Sequence, residues 1–411
     1  MKILTAHNRY HVTGGDDRVA WETARLLEKK GHRVIPFSMK NKKNWHTEYA
    51  RYFVDEIDYS EIKPSFSNFK TAIKMIHSFE AKRKIEDLIK KTKPDVAHLH
   101  NIYGRLTPSI IYVLQKYEIP VLMTLHDYKV ICPAYAMYYK GEVCERCKGG
   151  KFYRSVFVRC HKNSYLASFV YVMEAYVYSL LKTYVTHVAY FIAPSIFMKQ
   201  KMVEFGIPQE KIEYIPNFVK PENNHSPSAS FRQRGYFLYF GKLLRAKGIL
   251  TLLEAVKGLY NSSLLIAGDG DLRKEIESFI RKNGIANVQI LGHLGGHELS
   301  KVLAKSKFVV LPSEWYENAP LAVLEAFAQR KPVVGARIGG IPELIDEGKD
   351  GLLFEPGDAA DLREKIRQMS SKADAELKKM GELGREKVKR YFNPELHYER
   401  LINLYDSVLA K

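Results

Sequence analysis

Two carboxylates in the stretch LPSEWYENAPLAVLEA, Glu317 and Glu325, stand with seven residues between them. A strand-like run, Phe308 to Leu311, ends just before them at Pro312-Ser313, and a helix is predicted from Asn318 or Ala319. Strand, polar loop and helix N-terminus together form an anion site, because the first helical N–H groups have no partner within the helix. One carboxylate at the mouth and a second two turns deeper suit a ligand with phosphate in its middle and hydroxyl-bearing rings on both sides. A plainer account is equally open: Glu317 favours the helix dipole and Glu325 lies on a solvated face. Lys242 follows the strand predicted at 236 to 240, and Lys247 stands near the start of the next helix. With helix N–H groups they could grip a diphosphate, or be ordinary surface charge in a chain with 64 positive residues. Gly14-Gly15, in HNRYHVTGGDD, sits between a strand and a helix, where backbone can approach a phosphate. It lacks the spacing of a dinucleotide fingerprint or P-loop, and a simple turn is the alternative. His126 ends another strand, where it could bind a ligand or serve only as a structural hydrogen-bonding residue.

Cys132, Cys144, Cys147 and Cys160 all fall within 29 residues. Cys144-Glu-Arg-Cys147 is a tight pair, separated by eleven residues from Cys132 and by twelve from Cys160. Four thiolates at that spacing can close a tetrahedral, structural zinc site, with His161 able to replace Cys160. Free buried thiols and, in a reducing cell less readily, disulfides are the competing readings.

The elements that must position these groups alternate between strand and helix. Strands are expected at Lys2 to Ala6, His32 to Phe37, Asp95 to Leu99, Pro120 to Leu125, around Phe191 to Ala193 and at Lys211 to Ile215. The helix after the first strand is expected from Val19 to Lys29. His98 and His100 are expected on opposite faces of their strand. The second half alternates more cleanly, with strands at 236–240, 263–267, 288–291, 308–311, 332–335 and 352–354. Polar turns follow them at Gly241-Lys242, Gly268-Asp269-Gly270, Gly292-His293, Ser313-Glu314 and Gly339-Gly340. Open parallel sheets bind ligands outside the carboxyl ends of their strands, so these turns, His100 and His126 are the places to look.

At 411 residues the chain exceeds one comfortable core. The division expected is residues 1–220, with an insertion at 127–191, then a linker at 221–234, a second domain at 235–391, and a final helix within 392–411. Composition is that of a globular protein: 46% hydrophobic and 27% charged, with a formal net charge of +18. That balance favours an anionic partner without choosing among nucleotide, nucleic acid and membrane surface. Residues 152–191 hold eleven Phe or Tyr and one acidic residue, Glu174, a character suited to lying in a headgroup layer. The same aromatics could instead pack a helix, Ala167 to Thr183, against the first domain. Basic segments at 40–43 and 82–93 would add attraction to anionic lipid. MKILTAHN runs directly into a strand without a signal-peptide pattern, so a cytoplasmic protein is expected, and residues 152–191 would make it peripheral on the inner face of the cell membrane.

The chain resembles the retaining glycosyltransferases of family 4. The likeness rests on EWYENAPLAVLEA, with GKLLRAKG, GDGDLRKE, GGIPELI, TGGDDRVA and LHNIYG followed by TLHDY, and it runs through nearly the whole sequence. It implies an α/β fold of GT-B type, two facing Rossmann-like domains with a cleft between them. It also implies a nucleotide-diphosphate sugar as donor. Carried over by position, Glu325 would hold the ribose, Glu317 the donor sugar, and His126 a sugar hydroxyl near the transferred carbon. Lys247 and Lys242 would clamp the diphosphate with the amides of Gly14-Gly15 nearby. Gly339 and Gly340 would let amides approach the donor, and the backbone from Leu291 to His293 would face the base. Relatives usually carry Arg where this chain has Lys242, so a planar fork is lost while the charge is kept. The resemblance implies no metal for catalysis, and a glycan or lipid-linked acceptor. A non-catalytic basic protein that binds nucleotides, nucleic acid or glycans is the competing class. No nucleic acid is expected as partner, because the chain shows no recognised nucleic-acid motif.

Overall fold

Two six-stranded sheets, each wholly parallel, organise the molecule. The computed structural model describes residues 1–56, 74–220, 235–259 and 262–410, so the proposed linker at 221–234 lies outside the described residues. The chain divides into two compact units. The N-terminal unit comprises Met1–Met137, Cys144–Pro216 and His397–Lys411; the C-terminal unit comprises Tyr138–Val143 and Asn217–Leu396.

The N-terminal sheet is built from β1 (Lys2–Ala6), β2 (Arg33–Phe37), β3 (Val96–Leu99), β4 (Val121–Thr124), and two strands that follow the small antiparallel hairpin β5 (Tyr138–Tyr139) and β6 (Glu142–Val143). These two are β7 (Tyr190–Ala193) and β8 (Ile212–Tyr214), and the spatial order is β2-β1-β3-β4-β7-β8. The C-terminal sheet takes β9 (Tyr236–Phe240), β10 (Ser263–Ala267), β11 (Val288–Gly292), β12 (Val309–Leu311), β13 (Val333–Ala336) and β14 (Gly351–Phe354), in the order β11-β10-β9-β12-β13-β14. Strands such as Val96–Leu99 and Tyr236–Phe240 are buried at every residue. That explains why they read as apolar runs rather than alternating patterns: helices cover both faces. The expected pair of Rossmann-like α/β domains is therefore present.

In each sheet the order in which successive strands are added reverses once. The reversal lies between β1 and β3 in one unit and between β9 and β12 in the other. Ligands of doubly wound sheets bind at such switch points.

Two helix starts depart from expectation. Helix α1 (Gly15–Lys29) begins four residues before Val19, with Gly14 as N-cap and Asp16 and Asp17 in its first turn, where carboxylates oppose the helix dipole favourably. In the insertion, α2 (Arg154–Phe157) precedes α3 (Tyr165–Leu180), whose N-cap is Ser164. In the C-terminal unit, α4 (Leu321–Ala328) starts later than Asn318 or Ala319 because Pro320 is its N-cap. A residue before proline avoids the helical region, so the helix does not start at Ala319. Helix α5 (Pro394–Leu409) closes the chain, and from His397 onward it belongs to the N-terminal unit. There it buries Leu401, Leu404, Tyr405 and Val408, and Tyr398 Oη lies 2.9 Å from His32 Nε2.

Candidate active site

In the C-terminal unit the switch point is occupied by a charged pair. Lys247, which ends the 3-10 turn Arg245–Lys247 after β9, places Nζ 2.6 Å from Oε1 of Glu317, in the loop after β12. Ser313 Oγ donates to the same oxygen at 2.6 Å. Burial would push the Glu317 carboxyl up, but the Lys247 ammonium and the two hydrogen bonds hold it below the usual value. The close approach of the two loops requires glycine: at Gly248, φ is +66° and a Cβ would meet Pro312 O at 1.6 Å.

Gly339 and Gly340, after β13, support this pair. A Cβ on Gly339 would stand 2.2 Å from Glu317 O, and the Gly340 N–H donates to Glu317 O at 2.8 Å. The Gly340 amide is engaged there and holds the Glu317 loop in place. Glu325 lies just over one turn into α4 and is partly buried, not two turns deep. Lys242 and His293 are exposed immediately beyond β9 and β11, on the same carboxyl edge of the sheet.

In the N-terminal unit the switch point holds a cluster of histidines and acids. His7 follows β1, and its Nε2 lies 3.5 Å from Asp17 Oδ1 and 3.9 Å from Asp16 Oδ2. Asp17 Oδ2 accepts from the Thr13 amide at 2.9 Å and its hydroxyl at 2.6 Å. Among the described residues, His7, Asp16 and Asp17 are the one group of three or more potential metal ligands whose donor atoms lie within 4.8 Å of one another. Burial pushes the Asp16 carboxyl up, but His126, His7, Asn101 and Arg9 together outweigh it and hold the group low. Gly14 and Gly15 therefore open a helix whose first turn already carries two carboxylates.

His126 follows β4, and its Nε2 lies 2.9 Å from His100 Nδ1, with the rings stacked. His98 and His100 do not point to opposite faces; their ring centroids are 4.2 Å apart, since residues two apart on a strand share a face. His98 in turn bonds Thr124 Oγ1 through Nε2 and Tyr405 Oη of α5 through Nδ1, each at 2.7 Å. Asp127, which sequence reasoning passed over, is pushed up to about 7 by burial, although the Lys129 amide donates to it. A carboxyl that exchanges its proton near neutrality beside His126 suits acid–base work. Its one sequence signal was its place next to His126 at a strand end.

Burial holds His98, His126 and His397 neutral, pushing His98 down to about 3 and the other two each to about 4. The unfolded chain binds these protons below about pH 6.5, so the stability from the neutral forms is complete above that value and is lost as pH falls towards 4. Each group then costs about 1.4 kcal/mol per pH unit in that window. The melting temperature should fall clearly between about pH 7 and pH 5; calorimetry that gives the same temperature at both would refute this.

The four cysteines are free thiols in the N-terminal unit. Burial pushes Cys132 up to about 11 and Cys147 up to about 12, and Cys147 feels the other three. Their sulfurs nonetheless stop short of ligand spacing, because no three of them come within 4.8 Å of one another.

Comparison with known proteins bears on the family and the fold. Residues 13–223 match the family described as Glycosyltransferase Family 4, and residues 221–387 match Glycosyl transferases group 1. An uncharacterized glycosyltransferase of Methanocaldococcus jannaschii is 35% identical over 156 residues, 38% of this chain and 43% of that protein. The amylovoran biosynthesis glycosyltransferase AmsK of Erwinia amylovora is 27% identical over 221 residues, 51% of this chain and 54% of that protein. The chain thus matches about half the length of these curated relatives. Among solved structures, Anabaena HepE in complex with UDP and glucose superposes with a TM-score of 0.70 at 16% identity, covering 99% of this chain and 100% of that one, which shows a shared fold. The matched family spans 211 residues from 13 to 223, more than half of the sequence, and the chain belongs to glycosyltransferase family 4.

Proposed function

We propose that this protein is a retaining glycosyltransferase that moves a sugar from a nucleotide-diphosphate donor to a hydroxyl of a lipid-linked or polysaccharide acceptor in cell-surface glycan synthesis. The observation that carries the reading is the Lys247–Glu317 pair at the switch point of the C-terminal sheet. The ammonium keeps two N–H donors beyond the one given to Glu317, and these are free to take diphosphate oxygens. Lys242 would add a second charge, Glu325 would accept the ribose hydroxyls, and the backbone around His293 would face the base. Glu317 would bind a donor-sugar hydroxyl, and His126 a hydroxyl near the transferred carbon. The bond from the anomeric carbon to the diphosphate breaks and the acceptor oxygen bonds on the same face, while the departing diphosphate takes the acceptor proton. Lysines and helix N-termini that stabilise the developing negative charge supply the largest catalytic term, without a required metal. Amylovoran biosynthesis in the Erwinia relative, and UDP and glucose bound to the Anabaena protein, support the substrate classes. The protein would act in the cytoplasm, at the inner face of the membrane.

A screen of nucleotide-diphosphate sugars by thermal shift and donor hydrolysis tests this. At least one should raise the melting temperature by several degrees, as ligand at about 100 times its Kd adds roughly 2.7 kcal/mol. Stabilisation by oligonucleotides and by no nucleotide sugar would favour the non-catalytic alternative.

The cysteines are read as a structural zinc site on their spacing along the chain, and a bound ion would have to draw the sulfurs together. Elemental analysis should then find roughly one zinc per chain. Metal-free protein with four readily titrated thiols would overturn it.

A further inference from the structure

Helix α3 buries Ser168, Val172, Glu174 and Tyr178, while Leu166, Phe169, Met173 and Leu180 face solvent. These four recur at steps of three, four and seven, which is one stripe of a helix. The alternative, packing of these aromatics against the first domain, holds for Tyr178, which donates to Ile76 O, while Phe169 is 51% exposed and the aliphatic Leu180 79%. Helix α2 packs on α3 and adds Phe157, 73% exposed. A contiguous run of large apolar side chains on a surface marks an interaction site.

The exposed charges of residues 152–191 are of one sign. Arg154, Arg159, Lys162 and Lys182 are exposed, and the Arg159 guanidinium lies 5.3 Å over the Tyr165 ring. Glu174, the one acid in residues 152–191, is turned inward and paired with Lys129 at 2.7 Å, so it cancels none of this charge at the surface. We infer that the outer face of α3 with α2 is a docking surface for an anionic phospholipid bilayer. Aromatic and aliphatic side chains would enter the acyl boundary while the cations meet the headgroups. No described helix is long and apolar enough to cross a membrane, so α3 lies in the interface. A second copy is a poor occupant, because it would bring the same cations to the same face and the chain carries +18 overall. Such a surface deepens the lipid-linked-acceptor reading, on which its purpose rests.

Co-sedimentation of the whole chain with vesicles decides it, comparing phosphatidylcholine alone with phosphatidylcholine mixed with phosphatidylglycerol, at low and high salt. Wild type should pellet with the anionic vesicles and less so at high salt. Leu166→Ser, Phe169→Ser and Leu180→Ser combined should weaken that binding by about tenfold or more, since each removes a side chain from the acyl boundary. The substituted side chains are exposed, so the fold should survive, and circular dichroism verifies it. Absence of binding to anionic vesicles, or equal binding by the triple variant, overturns the inference. So does a concentration-dependent dimer that the triple variant loses, which would assign the face to self-association. Thermal stabilisation by nucleotide sugars, measured on the same variant, should match wild type. Its loss from both proteins would count against the glycosyltransferase reading rather than against the surface.

Discussion

Replacing Glu317 by Ala should lower turnover on the order of 10²-fold, the loss of about 3 kcal/mol typical of an aimed polar group that acts in the transition state. The same change should also weaken the C-terminal unit, because Glu317 is buried and is the shared acceptor for Lys247 Nζ and Ser313 Oγ. Breaking a fully buried pair costs 3 to 5 kcal/mol; the Lys247 side chain is 22% exposed, so about 1 to 2 kcal/mol is expected here. Glu317→Gln separates the two effects, since its amide oxygen can still accept from Ser313. That variant should recover much of the stability and little of the turnover. Lys247→Met should raise KM for the donor strongly, and combined with Glu317→Gln it leaves no unpaired charge, so stability should approach wild type while activity stays low. Urea denaturation with steady-state kinetics on the four proteins provides the cycle. Wild-type turnover in Glu317→Ala would remove Glu317 from the reaction, and full recovery of activity in the double variant would make the pair purely structural.

The strands and their order of appearance were legible because buried parallel strands are short apolar runs bounded by polar turns, and the carboxyl-edge turns could be listed from sequence. What those turns touch could not. Lys247 and Glu317 are 70 positions apart, and Ser313 was visible only as part of a turn. Gly339 lets one loop rest on the backbone of another, a contact that local spacing does not reveal. Likewise Tyr405 and His98 are 307 positions apart, and no local pattern announces their bond. Periodicity gave the existence of α3 but assigned its aromatics equally to core and surface. Helical spacing identifies a stripe; it does not say whether the protein or the solvent lies beside it. The late start of α4 is a different failure, since Pro320 was in view and its effect on Ala319 follows from sterics alone.

His126→Ala should lower turnover on the order of 10²-fold, again as an aimed polar group removed from the transition state. The hydrogen bonding around it specifies which proton it presents. His100 Nε2 is buried without a hydrogen-bond partner among the described residues, and a donor left unpaired there would cost more than a bare lone pair. The His100 proton is therefore assigned to Nδ1, from which it donates to His126 Nε2 at 2.9 Å. His126 must then carry its own proton on Nδ1 and offers the site an N–H donor. Burial holds His126 down to about 4, so it should stay neutral through the working range and contribute no limb to the pH–rate profile near 6.5. A limb near 7 would instead belong to Asp127 and should vanish in Asp127→Asn. His100→Phe keeps a ring to stack on His126 but removes the donor, freeing His126 to change tautomer. It should lower kcat by roughly tenfold with KM nearly unchanged, since orientation and not binding is lost. Full activity in His126→Ala would sink the assignment of this histidine, and a His100→Phe variant with wild-type kcat would show that the tautomer is set elsewhere.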